Sequence, residues 1–335
     1  MAYSLSPKEN YLLCMNHKHH EYTPGPGDMV GAGMMLPIER GEGGAGIDAF
    51  GVRWVAPTSG GPGAALPAPN EFKLTDVTKW KSVVEMPDLS VFDWEGTAAM
   101  ELANVDRDTQ SVDIIHANCI YERMATLMGF EGALLAMALE PEASFELLEA
   151  LANWRIEGIK YFAKYYQPDV YMYFDDVATE RNLFMSPDTY RALIKPLHVK
   201  FVKACQELGI IPVQHTCGKA DLLVQDMIDE GNHAWNAVQS QNDLEGIIEA
   251  HGDHFVLMGG YNTTGTPGQP YATEDEVRAE VRRCIETYGK YGKGYVFSGL
   301  VLTALNPADP MDMGAMNNII IDEFLKIRAE KEAAA

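Results

Sequence analysis

Basic side chains are scarce in this chain of 335 residues, with 26 lysines and arginines against 48 aspartates and glutamates, a formal net charge of −22. A surface of that sign repels phosphate backbones and anionic headgroups, which argues against a nucleic-acid or membrane-surface role. Cysteine is also sparse. Cys14, Cys119, Cys205, Cys217 and Cys284 form an odd set without framework spacing, so no disulfide scaffold is expected, and free thiols point to the cytoplasm. No stretch approaches the roughly 18 apolar residues of a membrane helix. Met1 to Lys8 lacks the basic-then-apolar pattern of a signal peptide, so neither anchoring nor export is expected. The glycine clusters do not fall between a strand and a helix in G-x-G-x-x-G spacing, which removes the dinucleotide fingerprint.

What is present is an ordinary globular composition, 47% hydrophobic and 22% charged, able to bury a core without cross-links. The length suits two average domains or one α/β barrel. Residues 1–75 read as a loop-rich extension of the same domain, with runs such as "TPGPGDMVGAGMM" and "APTSGGPGAALPAPN"; between those runs "GIDAFGVRWVAP" predicts a short hairpin. From there to residue 330 the rhythm changes. Short apolar runs at 111–117, 169–175, 210–216, 233–239, 254–260 and 294–300 alternate with amphipathic stretches, the βαβ pattern. Ser186 and Pro187 open one helix that Gly209 ends and Pro196 bends or divides; Thr273 caps another that contains Cys284 and closes at Gly289. Six strands plus two in the glycine-rich first third predict a (β/α)8 TIM barrel.

In such barrels the functional groups lie at the C-terminal strand ends. "VQHTCGK" places His215 and Cys217 two apart, on one face of a strand end, and imidazole plus thiolate suits Zn²⁺. A buried histidine beside a structural thiol fits the same spacing. "YFDDVA" ends the preceding strand, and at roughly 4.8 Å between neighbouring strands Asp175 or Asp176 can face that pair as a third ligand. The alternative is that one aspartate caps the next loop or pairs with Arg181. Tyr173, Trp235, Asn236, Gln239, Tyr261 and Asn262 also fall at strand ends; flat apolar faces with a few amides suit an aromatic ligand, although core packing explains most aromatics there. His116, Asn118 and Cys119 carry a weaker signal. His17, His19 and His20 read as a solvated surface turn.

The order of these elements is similar to a known family. Asp175-Asp176, S-P-x-x-Y at Ser186 to Tyr190, P-L-H at Pro196 to His198, H-x-C-G at His215 to Gly218 and Q-x-x-N-D-L at Gln239 to Leu244 resemble the uroporphyrinogen decarboxylase superfamily, and within it the corrinoid-dependent methyltransferase branch. The likeness covers about residues 80–325 and implies a (β/α)8 barrel. It implies zinc on His215 and Cys217. Coenzyme M-directed members supply a third ligand from a cysteine on the last strand; here Phe297-Ser298-Gly299 stands near that place, which leaves Asp176 as the candidate. The decarboxylase binds eight carboxylates through an arginine-rich N-terminal segment, whereas "CMNHKHHEYTPGPGD" has no arginine, so porphyrinogen decarboxylation is not expected.

The resemblance therefore implies an anaerobic zinc-assisted O-demethylase component. A methyl group passes from a methoxylated, aromatic compound to the cob(I)alamin of a separate corrinoid protein that docks transiently, since no D-x-H-x-x-G corrinoid-binding segment occurs in this chain. Asp176, His215 and Cys217 form the centre; Tyr173 and Trp235 sandwich the ring, Arg181 pairs with a substrate carboxylate, and Asn236, Gln239 and Asn262 line the pocket. The alternatives are a methylcobamide-to-thiol or tetrahydrofolate methyltransferase, and a metal-free barrel that binds a tetrapyrrole.

Overall fold

The computed structural model describes residues 3–39, 45–55, 65–269, 271–301 and 310–334. Its main element is a parallel sheet of seven strands in the order β1 (Met29–Ala32), β5 (Ser111–His116), β6 (Val170–Phe174), β7 (Ile211–His215), β8 (Ala234–Val238), β9 (Val256–Gly260) and β10 (Tyr295–Ser298). All six strands expected after residue 110 are present. In the glycine-rich first third, β1 joins the parallel sheet. The expected hairpin forms as β2 (Gly46–Ile47) and β3 (Arg53–Val55), which with β4 (Leu66–Pro67) make a separate antiparallel sheet. The eighth parallel strand expected there is not found among the described residues, so the sheet they form is a curled seven-stranded one.

The curl follows from alternation. Successive side chains of a strand point to opposite faces, and here the two faces feed two cores. Val112, Ile114, Tyr171, Tyr173, Trp235, Leu257, Tyr295 and Phe297 pack outward in the larger cluster. Val170, Met172, Val213, Ala234, Val256, Met258 and Val296 meet in the other, with Met29 of β1 against them, so strands from both ends of the sheet wrap one interior.

That interior has a floor. Helix α1 (Pro7–Met15) opens with a Ser6–Glu9 capping box and completes the inner cluster with Tyr11, Cys14 and Met15. Tyr11 Oη donates to Asp113 Oδ2 at 2.7 Å. His17 Nε2 donates to the His233 carbonyl (3.1 Å) and His233 Nδ1 to the Met15 carbonyl (3.0 Å), fastening the end of α1 to the start of β8. This corrects the reading of the histidine run as a solvated turn. His17 is half-buried against His233, His20 is buried with its Nδ1 on the Lys18 carbonyl, and His19 is exposed. With the N-terminal strand ends closed by α1, the C-terminal ends are the side left for chemistry.

The helices on the outer face are α2 (Trp80–Val83), α3 (Trp94–Glu101), α4 (Tyr121–Met128), α5 (Phe130–Leu139), α6 (Pro141–Tyr165), α7 (Pro187–Leu193), α8 (Lys195–Glu207), α9 (Val224–Asp229), α10 (Leu244–His251), α11 (Glu274–Thr287) and α12 (Pro310–Ala334). Ser186 caps α7 and Pro187 is its first residue; Pro196 lies in the first turn of α8, so the proline divides the helix. Thr273 caps α11 in a capping box with Glu276. Helix α12 straps the sheet's two ends. Arg328 pairs with the buried Asp28 just before β1 (2.7 Å), and Phe324 stacks on Phe297 of β10. Gly25 permits that approach, since a Cβ there would lie 2.6 Å from the Phe324 ring. Among the described residues no helix is long and apolar enough to cross a membrane.

Candidate metal centre at the C-terminal strand ends

Strands β6, β7 and β8 are neighbours, and their register sets Phe174 beside His215 and His215 beside Asn236. All three share the inner face. His215 Nδ1 donates to Asn236 Oδ1 at 2.6 Å, which fixes the tautomer and turns the Nε2 lone pair toward Cys217 Sγ, 3.5 Å away. The Phe174 ring lies flat on the imidazole, with centroids 3.6 Å apart and planes 4° from parallel. Asp176 and Cys217 each lie two residues past the facing pair. The Cys217 amide donates to Asp176 Oδ1 at 2.6 Å, tying the two loops together. One ligand atom from each of Asp176, His215 and Cys217 thus falls within 4.8 Å of the others. Gly218 makes the turn possible: its φ is +89°, and a Cβ would lie 2.4 Å from the Thr179 carbonyl oxygen.

Electrostatically the site is short of positive charge. Burial, then the charges of Asp176 and Glu122, pushes the Cys217 thiol up to about 12. Burial lowers the His215 imidazole. Burial with the neighbouring Asp176 and Asp175 lifts Glu122 to about 8. Sulfur, nitrogen and oxygen donors, with the second imidazole nitrogen engaged by an amide, are the chemistry of a zinc site, and a dication would answer the surplus of negative groups. The residues fit zinc.

Other residues singled out in the sequence fall elsewhere. Tyr173 and Trp235 lie on the outer, helix-facing side and are fully buried. Tyr173 Oη donates to Asn232 Oδ1 and Trp235 Nε1 to the Thr216 carbonyl. They therefore cannot sandwich a ring at the strand ends, because strand alternation that turns Phe174 and Asn236 inward turns Tyr173 and Trp235 outward. Arg181 is exposed on the loop after β6, and Asp175 pairs not with it but with His198. Gln239 Oε1 accepts from the Gly218 amide (2.8 Å) and so braces the H-x-C-G turn. Asn262 Oδ1 accepts from the Gly265 amide and shapes its own loop, while the buried Tyr261 hydroxyl donates to the Pro267 carbonyl. Of the proposed pocket amides, Asn236 alone touches the centre.

Two features carry no motif in the sequence. Glu122, in the first turn of α4, accepts the Asp176 amide on Oε1 (3.2 Å) and the Asn118 amide on Oε2 (2.9 Å), bridging the loops after β5 and β6. Its only sequence signal is its place just past a strand end. Further out, Glu39 reaches down between Arg123, Arg155 and His116. Burial opposes its ionisation, yet the charges of Arg155 and Arg123 hold its carboxyl well below the usual range. Burial and the Arg155 charge lower His116 to about 4. Arg123 also pairs with Asp48 (2.6 Å), so these charges are mutually compensated.

A search among curated proteins finds no match. Among solved structures, a methyltransferase from Methanosarcina mazei is similar, 14% identical over 96% of this chain and 100% of that one with a TM-score of 0.68, a likeness of fold. The family model of uroporphyrinogen decarboxylase (URO-D) matches residues 114–299, from β5 through the end of β10. That segment is more than half of the chain and contains the Asp176, His215 and Cys217 cluster, and the chain belongs to the uroporphyrinogen decarboxylase (URO-D) family.

Proposed function

We propose that this protein is a methyltransferase that takes a methyl group from a methoxylated aromatic compound and delivers it to the cob(I)alamin of a separate corrinoid protein, with zinc on His215, Cys217 and Asp176. The observation that carries this reading is the convergence of those three donors within 4.8 Å at the open end of the sheet. An aryl ether is a poor electrophile because its oxygen must depart as an anion, and bound zinc supplies the Lewis acidity that stabilises that charge. The chain does the rest. Asn236 holds the imidazole so that Nε2 stays available, and the Cys217 amide keeps one Asp176 oxygen engaged while the other remains free. Phe174, inward-facing and only partly buried, offers the flat apolar face beside the centre in place of Tyr173 and Trp235. The acidic surroundings, Glu122 and Asp176, suit a cation and disfavour the polycarboxylate substrate of a porphyrinogen decarboxylase.

The corrinoid protein has to reach the C-terminal strand ends. Of the glycine-rich stretch 25–70, β1 and Asp28 are held in the sheet and by Arg328, and residues 40–44 and 56–64 lie outside the described ones. Loading and unloading the methyl group require different partners, so the contact is expected to be transient and of micromolar affinity. Two measurements test the reading. The purified protein should hold about one zinc per chain, and Cys217→Ser should lose it while keeping the fold; full zinc occupancy in that variant rejects the centre. Single-turnover transfer from a panel of methoxyarenes, followed by decay of the Co(I) absorbance, should be faster with a corrinoid protein than with free cob(I)alamin at equal low micromolar cobalt. Equal rates reject docking, and no transfer to either rejects the corrinoid reaction.

A further inference from the structure

Three residues from the sequence motifs have no part in the centre itself, yet they meet behind it. His198 of P-L-H, Tyr190 of S-P-x-x-Y and Asp175, the first aspartate of the pair, form one buried hydrogen-bonded network on the outer side of β6 and β7. His198 Nε2 donates to Asp175 Oδ2 at 2.8 Å, and its Nδ1 faces the Tyr190 hydroxyl at 3.1 Å. Tyr190 in turn donates to Glu230 Oε1 at 2.7 Å, and Asn232 Nδ2 donates to Glu230 Oε2 at 3.0 Å. The side chains of His198, Asp175 and Glu230 have no exposed surface. A network of this kind is costly to bury unless it is fully satisfied, and here its members satisfy one another.

Its forward end leads to the metal ligands. Asp175 Oδ1 accepts the backbone amide of Glu122 at 2.9 Å, in the first turn of α4. The Glu122 carboxylate accepts the amide of Asp176, and Asp176 accepts the amide of Cys217. An unbroken series of contacts therefore runs from His198 through Asp175, Glu122 and Asp176 to Cys217. A shift of Asp175 releases the turn that presents Glu122, and with it the backbone of the ligand arm. We infer that His198 is a positioning residue for the Asp176, His215 and Cys217 centre, holding Asp175 so that Glu122 and Asp176 keep their places. The inference rests on the metal reading proposed above for those three residues.

The test exploits the two ends of the imidazole. In Gln the amide nitrogen stands where Nε2 of His stands, and in Asn it stands where Nδ1 stands. His198→Gln therefore keeps the contact to Asp175, whereas His198→Asn keeps only the side toward Tyr190. Both variants lose the imidazole ring, so a purely structural role affects them alike. Two readouts apply: amide hydrogen exchange at Cys217 in metal-free protein, referenced to the amides of β6, and the affinity for Co²⁺ from its thiolate charge-transfer band. His198→Asn should speed Cys217 exchange by about tenfold or more and weaken Co²⁺ by about the 10–100-fold seen when a ligand loses its support. His198→Gln should stay within about threefold of the parent in both. Equal behaviour of the two variants in both readouts overturns the assignment. If the parent binds no Co²⁺, or binds it equally after Cys217→Ser, the metal reading fails by itself and the exchange measurement alone decides on His198. Should His198→Asn not fold, Glu122→Gln takes its place as the next link. It is expected to speed Cys217 exchange in the same way, and an unchanged rate overturns the proposal.

Discussion

The two adjacent aspartates at the end of β6 have opposite fates. Asp176 turns to the candidate ligands, while Asp175 is fully buried between His198 and the Glu122 amide. Asp176→Asn is therefore expected to lower turnover about 10–100-fold with little change in stability. Asp175→Asn breaks a buried ion pair and is expected to cost about 3 kcal/mol of stability. Urea denaturation and methyl-transfer rates measured on both variants check this; an Asp176→Asn protein as active as the parent would falsify the facing. A pH dependence follows from the same pair. Although burial works to lower it, the hydrogen bonds and charges of Asp175 and Glu230 raise His198 from 6.5 to about 9. A folded-state value above the unfolded one means that this contribution is complete below pH 6.5 and lost as pH rises through 9. At about 1.4 kcal/mol per unit, the decline is expected to reach up to about 3–4 kcal/mol, and His198→Gln should remove that part of the slope. A parent and variant with parallel stability profiles between pH 6.5 and 9 would exclude a charged His198.

Helix α1 is the element whose role was least visible beforehand. Its nine residues PKENYLLCM show no strong amphipathic stripe, yet Tyr11, Cys14 and Met15 complete the inner core. Tyr11 also supplies the hydroxyl that meets the buried Asp113, whose carboxyl burial pushes up to about 6. Tyr11→Phe keeps the ring and removes that donor, so it should cost about 1–3 kcal/mol, read as a lower urea midpoint with an unchanged slope. A loss within a few tenths of a kcal/mol would show that α1 is not fastened through Asp113. Strands β5 to β10 and the caps of α7 and α11 were legible because apolar runs, N-cap residues and prolines are local signals. The floor was not legible, since it depends on which side chains a distant sheet offers.

At the scale of the whole molecule, the −22 charge is spread over a surface where many ion pairs are exposed, such as Arg53 with Glu71 and Lys290 with Glu245. Exposed pairs contribute little, so self-repulsion among the unpaired carboxylates dominates the response to salt. Raising sodium chloride from about 10 to about 200 mM should raise the melting temperature by about 2–4 °C, equivalent to about 1 kcal/mol. A melting temperature that falls instead would show that the networks on α11 and α12, Arg278 and Arg282 against Glu323, outweigh the repulsion. The sequence by itself determined the βα rhythm, the six later strands, the interruption at Pro196 and the His215 and Cys217 pair, because each depends on residue type at short spacing, while the choice of Asp176 over Asp175 beside that pair and the division of the helix into α7 and α8 came from the structure. Only the tertiary structure decided that Trp235 turns away from Asn236, that Glu122 bridges two loops, that Asp175 belongs to His198 and that Phe174 rather than Tyr173 lies beside His215. Those outcomes hang on the facing and curl of a sheet whose strands are far apart in the chain, and a one-residue change of parity would have reversed them.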